Sequence, residues 1–109
     1  MRDAKDAPIF SHLCDDPAAG EAIDAFVVGL AERVDELQDC EARNALNDLS
    51  ERVRALAEQA ANTGFETLAL AARSIEIACS TGAKEEAYKA LVELTEIARR
   101  IRLGHRGAV

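Results

Sequence analysis

Near the start of the chain, His12, Cys14, Asp15 and Asp16 place four side chains of metal-binding type within five residues. Imidazole, thiolate and carboxylate groups are the usual ligands of zinc. Four ligands so close along a chain rarely reach one tetrahedral centre, and three suitable anchors elsewhere are lacking. We therefore predict no metal and no other cofactor, and we interpret His12 as a surface residue of an arm.

The sequence also lacks the patterns that support catalysis. It has no Gly-rich phosphate loop, no His-Glu-x-x-His motif and no pair of histidines at metal-binding spacing. Di-iron helical bundles need a Glu-x-x-His motif on inward helix faces, and no His lies between residues 17 and 103. We predict that the protein is not an enzyme, and a small enzyme is the least favoured of our hypotheses.

Charge excludes a further class of function. The net charge of the 109-residue chain is −7, and an acidic chain is a poor candidate for binding phosphate backbones. The last carboxylate is Glu96, and four arginines follow it. We interpret these arginines as favourable charges at a helix C-terminus. The alternative is that residues 104–109 form a basic tail that contacts a partner.

The cysteines and the apolar runs predict the compartment. Cys14, Cys40 and Cys79 are widely spaced and fit neither a disulfide framework nor a paired-cysteine metal motif. The polar start Met1–Asp6 is unlike a signal peptide, and no apolar run approaches the length of a membrane span. We predict a soluble cytoplasmic protein that contacts neither nucleic acid nor membrane.

The elements that must position any site are helical. Ala makes up about a fifth of the chain, while aromatic residues make up 4% and Trp is absent. Apolar residues recur at helical spacing in four stretches, which predict helices at about 17–38, 42–62, 65–80 and 83–103. The third has the widest apolar arc and is expected to be the most enclosed. Short connections predict an all-α, antiparallel up-down four-helix bundle over residues 15–103.

Turn and cap residues mark most of the helix ends. Asp16-Pro17 favours a helix start, because Asp caps free N–H groups and Pro suits the first helical position. Gly64 and Gly82 suit left-handed caps after the second and third helices. Neither Gly nor Pro marks the end of the first helix, which we place between Gln38 and Asn44.

Residues 1–14 precede the bundle as a short N-terminal arm. The arm carries one apolar patch, made of Ile9, Phe10 and Leu13, in an otherwise polar stretch. We expect this patch to form a short turn and to cover one end of the bundle.

Part of the chain follows a more specific pattern, carried by Leu46, Leu49, Val53, Arg54, Leu56, Asn62-Thr63-Gly64-Phe65-Glu66-Thr67-Leu68-Ala69, Ala72 and Ile75-Glu76. This pattern resembles histidine-containing phosphotransfer (HPt) domains. Those domains carry His-x-Leu-Lys-Gly on one bundle helix. A Gly follows ten positions after the His, and then a helix of Leu-Ala-x-x-Ala-x-x-Leu-Glu type. The resemblance implies a four-helix bundle that acts in bacterial two-component signalling, where HPt domains take part in phosphorelays.

The chain departs from HPt domains where those domains carry phosphate. Counting back ten positions from Gly64 places Arg54 at the position of the phosphorylatable His. Ala57 stands at the Lys position and Glu58 at the Gly position, while Leu56 matches. A guanidinium cannot accept the phosphoryl group of a relay, which needs a neutral imidazole nitrogen. The resemblance thus implies a degenerate member that carries no phosphate and whose Glu58 repels the acidic pocket of an ordinary receiver.

What remains is a helical surface for a partner. A helical wheel places Arg54, Glu58 and Ala61 away from the core and Ser50 and Ala57 at its edge. An antiparallel first helix would bring Ala25, Val28, Gly29 and Glu32 alongside these residues. We predict a partner-binding face made of Ser50, Arg54, Ala57, Glu58, Ala61, Val28 and Glu32. The alternative is an ordinary Ala-rich helix surface, or one that the arm covers.

Two function hypotheses follow. The leading one is a non-catalytic HPt-like interaction module that binds a receiver domain or a histidine kinase without carrying phosphate. The other is a structural or adaptor bundle that self-associates, for example as a homodimer, with no signalling role, because bundles host unrelated functions.

Overall fold

The structure is a computed structural model that describes residues 7–107 of the chain. Those residues form a short 3-10 turn, Pro17–Ala19, and four helices without a strand. The all-α prediction is confirmed. The helices are α1 Gly20–Ala42, α2 Leu46–Asn62, α3 Glu66–Ser80 and α4 Lys84–Gly107. α2 packs closely against α3 and α3 against α4, whereas α1 packs more loosely against both α2 and α4. This is the arrangement of an up-down four-helix bundle.

Three helices differ from their predicted bounds. The first ends at Ala42 rather than at about residue 38, and the second begins at Leu46 rather than at about residue 42. Asp16 accepts a hydrogen bond at 2.9 Å from the Ala18 N–H, but it caps the 3-10 turn, and α1 begins only at Gly20. At the other end, residues 104–107 belong to α4. The expected tail at 104–109 is therefore helical as far as Gly107, because Gly104 continues the helix rather than ending it.

The three connections between helices have one geometry. Asn44, Gly64 and Gly82 each have a positive φ, of 57°, 84° and 70° respectively. In each turn the next residue donates its N–H to the carbonyl five positions earlier, at 2.8–2.9 Å. This is the Schellman ending, which uses Gly most often and Asn next. Asn44 therefore provides the left-handed residue that ends α1. We predicted a turn in this region, although no Gly or Pro indicates it.

The core is built from aliphatic side chains, as the low aromatic content indicates. Leu30, Leu49, Leu68 and Leu94, one from each helix, have no exposed surface. Two aromatic rings, of Phe26 and Phe65, stack with their centroids 5.6 Å apart. The four leucines and Phe26 lie on the apolar faces of their helices, so their burial follows the helical periodicity, and Phe65 is the N-cap residue of α3.

Two large apolar side chains of α3 lie outside the core. Leu70 and Ile77 are 64% and 66% exposed, although α3 packs closely against both α2 and α4. The buried residues of α3 include Leu68 and Ile75, which face the neighbouring helices. The apolar arc of α3 is wider than two neighbours can cover, and the residues at its far side face solvent.

The described part of the arm lies across one end of the bundle. The Ile9 N–H donates to the Arg100 carbonyl at 3.1 Å, and the Arg100 Nε donates to the Ala7 carbonyl at 2.7 Å. Ile9 packs on the core, whereas Phe10 stays 57% exposed. The arm therefore covers this end as expected, although one member of its apolar patch faces solvent. We call this the arm end, and the opposite end the open end.

The arm also bonds to the turn between α2 and α3. The buried Ser11 hydroxyl donates to the Thr63 carbonyl at 2.5 Å, and the His12 N–H donates to the Gly64 carbonyl at 3.0 Å. A buried carbonyl needs a partner, and the arm supplies one here.

Two glycines leave room for the arm. A Cβ on Gly64 would overlap the Ser11 hydroxyl, and a Cβ on Gly104 would lie 2.8 Å from the Ile9 carbonyl oxygen. Gly104 lies inside α4, where Ala would be the better helix former by about 1 kcal/mol. The close approach of the arm therefore explains why Gly suits this helical position.

Candidate partner-binding surface

Arg54 lies at the centre of one flank of α2. The other predicted residues on this helix stand four positions before it and three, four and seven positions after it, so all share one side of the helix. Arg54 and Glu58 are exposed, and Ser50 and Ala61 are half-buried. These four residues therefore lie together on one accessible side of α2.

Ala57 is the exception on this flank. We expected it at the edge of the core, yet its exposed surface is 0%. α2 packs closely against α3, and a small side chain lets two helices approach. Ala57 therefore belongs to the core and is not available to a partner.

Val28 and Glu32 of α1 do not join the residues around Arg54. Val28 is 77% exposed and Glu32 is exposed, but α1 meets α2 through other side chains. Those contacts are a hydrogen bond from Arg33 to Gln59 and an ion pair of 3.3 Å between Glu36 and Arg52. Because Gln59 and Arg52 lie on the opposite flank of α2, Val28 and Glu32 belong to a different surface.

Helix α3, rather than α1, lies beside Arg54. The Arg54 Nε donates to the Glu76 carboxylate at 2.7 Å. This hydrogen bond, and then the charge of Glu76, raise the pKa of the Arg54 guanidinium. The Arg54 side chain is 58% exposed, and an exposed ion pair stabilises a fold only weakly. Arg54 can therefore exchange Glu76 for the carboxylate of a partner at little loss.

Sequence reasoning missed the contribution of α3 to this surface. Leu70, Arg73 and Ile77 are exposed on the side of α3 that continues from Glu76. The excess width of the apolar arc of α3 was the available signal. We define the α2–α3 face by the residues Ser50, Arg54, Glu58, Ala61, Leu70, Arg73, Glu76 and Ile77.

The α2–α3 face offers two large apolar side chains and several charges. Beside it, burial and the charge of Glu76 raise the pKa of the Cys79 thiol, so this thiol stays neutral at neutral pH. In the described part of the chain, no group of three or more His, Cys, Asp and Glu residues is placed to hold a metal ion.

Two further findings bear on the class of protein. Across residues 7–107 no helix has both the length and the apolar character needed to cross a bilayer. Comparison with protein-family models, with curated proteins and with solved structures found no match to this chain.

Proposed function

We propose that this protein is a non-catalytic, HPt-like interaction module of bacterial two-component signalling. In this proposal it binds a receiver domain or a histidine kinase in the cytoplasm through the α2–α3 face and carries no phosphate. The observation that carries the proposal is the pair of exposed apolar side chains, Leu70 and Ile77, on the same helix as Glu76, which forms an ion pair with Arg54. Apolar contacts flanked by charged groups are typical of surfaces that bind protein partners.

Arg54 supports the absence of phosphotransfer. It occupies the position that the HPt resemblance assigns to the phosphorylatable His, and its guanidinium is charged and bonded to Glu76. The nitrogen lone pairs of a charged guanidinium are delocalised over the cation, so the group is a poor nucleophile toward a phosphoryl group. We expect no transfer of labelled phosphate from an active kinase or a phosphorylated receiver. Label on a histidine of this protein would contradict the proposal.

Binding is tested with charge variants on and off the α2–α3 face. Ile77→Asp changes this face, whereas Val28→Asp changes a comparably exposed apolar residue on the outer side of α1. We expect Ile77→Asp to weaken binding to a receiver or kinase from the native host about tenfold or more, and Val28→Asp to change it less than about twofold. Arg54→Asp and Glu58→Arg should also weaken binding. Equal affinities for all four variants would exclude this face as the site.

Self-association is the second candidate function, and one observation favours it. Leu70 and Ile77 lie seven residues apart, the spacing with which helices pair along an apolar seam. Sedimentation at low micromolar concentration distinguishes the two functions. A dimer that Leu70→Glu dissociates and Val28→Glu leaves intact would support self-association. A strict monomer would count against it.

A further inference from the structure

A cleft of about 190 Å³ lies beneath the arm, between the arm, α1 and α4. Its walls are mostly apolar and come from four separate parts of the chain. The apolar side chains that line it are Ile9, Phe10, Ile23, Val27, Phe65 and Ile101. None of these residues belongs to the α2–α3 face, so the cleft is independent of the proposed function.

The volume of the cleft limits what it can hold. An apolar cavity of roughly 150 Å³ in another protein holds one benzene molecule. A cleft of about 190 Å³ therefore suits a single ring with a short substituent. It is too small for a peptide helix, whose diameter with side chains is about 10 Å.

The polar groups around the cleft indicate which polar group the substituent of a bound ring would carry. Asp24 lines the cleft with His105, but the Asp24 Oδ1 lies 3.7 Å from the His105 Nε2, longer than a normal hydrogen bond. The Asp24 side chain is 69% exposed, so its carboxylate is accessible to a hydrogen-bond donor at the mouth of the cleft. The Ser11 hydroxyl, by contrast, already donates to Thr63.

We infer that this cleft binds a small aromatic amine. Its ring lies between Ile23, Val27 and Ile101, and its ammonium group pairs with Asp24. Part of the wall belongs to the arm, so the bound molecule also holds the arm in place.

Gly20 allows a direct test. It lines the cleft at the start of α1, and a Cβ at this position would meet nothing within 4 Å. A leucine at this position has no clash at its Cβ, and we expect its side chain to occupy part of the cleft. Gly29 lies in the same helix outside the cleft, with only the Arg33 Nε at 4.0 Å from its Cβ position. Gly29→Leu is the matched control for side-chain size.

The probe is benzylamine, and the readout is the methyl NMR shifts of Ile23, Val27 and Ile101 in the full chain. We expect saturable shifts in the wild type, affinity within about twofold in Gly29→Leu, and a loss of about tenfold or more in Gly20→Leu. Circular dichroism checks that both variants are folded. No shifts up to about 20 mM benzylamine, or equal affinity of Gly20→Leu, would overturn the inference.

The role of Asp24 is tested with ligands of one shape and different charge. We expect benzylamine to bind most tightly, benzyl alcohol less tightly and benzoate least tightly. Asp24→Asn should remove the advantage of the amine and leave benzyl alcohol unchanged. Benzoate binding as tightly as benzylamine would overturn the assignment. So would a dimer that Gly20→Leu dissociates, since a side chain of a second copy would then fill the cleft.

Discussion

The turn after α2 and the turn after α3 have nearly the same local sequence, Thr63-Gly64 and Thr81-Gly82, and the same backbone geometry. Their surroundings differ. The arm covers Gly64 at the arm end, whereas a Cβ on Gly82 at the open end would meet nothing within 4 Å. Identical local signals therefore specify identical turns, while the tolerance of each turn to change depends on what packs against it.

The largest expected difference in stability is between alanine variants of these two glycines. Gly82→Ala places a side chain in the left-handed region and should cost about 1–2 kcal/mol of the free energy of unfolding. Gly64→Ala has the same strain and also overlaps Ser11, which adds about 1–3 kcal/mol. Urea denaturation of both variants measures the difference. Equal losses would mean that the arm does not pack on Gly64 in solution.

Gly104 and Gly29 extend the comparison to positions inside helices. Gly29→Ala should stabilise the protein by about 0.5–1 kcal/mol, because Ala favours helix and the position is open. Gly104→Ala has the same helical advantage but displaces Ile9, so a net loss of about 1–2 kcal/mol is expected. Thermal and urea unfolding measure both. A stabilising Gly104→Ala would show that the arm does not hold this position.

Substitution of two serines tests the hydrogen bonds at the arm end and at the open end of the bundle. The buried Ser11 hydroxyl donates to the Thr63 carbonyl, whereas the exposed Ser80 hydroxyl donates to the Ile77 carbonyl at 2.8 Å. Ser11→Ala leaves a buried carbonyl without its partner and should cost about 1–2 kcal/mol. Ser80→Ala should change stability by less than about 0.5 kcal/mol, because water replaces the hydroxyl. The reverse order in urea denaturation would contradict the contrast between the ends.

The smallest effect on stability is expected at the turn between α1 and α2. Asn44 has the same left-handed backbone as the two glycines, with a φ of 57°. Asn44→Gly should therefore stabilise the protein by about 0.5 kcal/mol, since glycine takes this conformation without steric strain. Differential scanning calorimetry of the variant measures the shift. A lower midpoint would indicate that the Asn44 side chain makes a contact that Gly cannot replace.

Much of the fold could be predicted from residue types and spacing. The apolar stripes predict four helices, and Gly64 and Gly82 mark two of the three turns, because left-handed backbone favours glycine. The third turn was harder to place, since Asn44 tolerates that conformation but also occurs in many other settings. The wide apolar arc of α3 signals that part of the arc can stay uncovered. Only the structure shows that Leu70 and Ile77 are exposed, because an apolar arc does not tell which of its residues the neighbouring helices cover.

The candidate site shows the same division. Spacing alone determined that Ser50, Arg54 and Glu58 share one flank of a helix, because the helical period is a property of the chain. Only the tertiary structure decided that this flank meets α3 through Glu76 and not α1 through Glu32. A helical wheel does not contain the handedness of the bundle, and handedness determines which neighbour lies on which side. Packing between distant segments also decided that the arm needs Gly104 and leaves a cleft beside it.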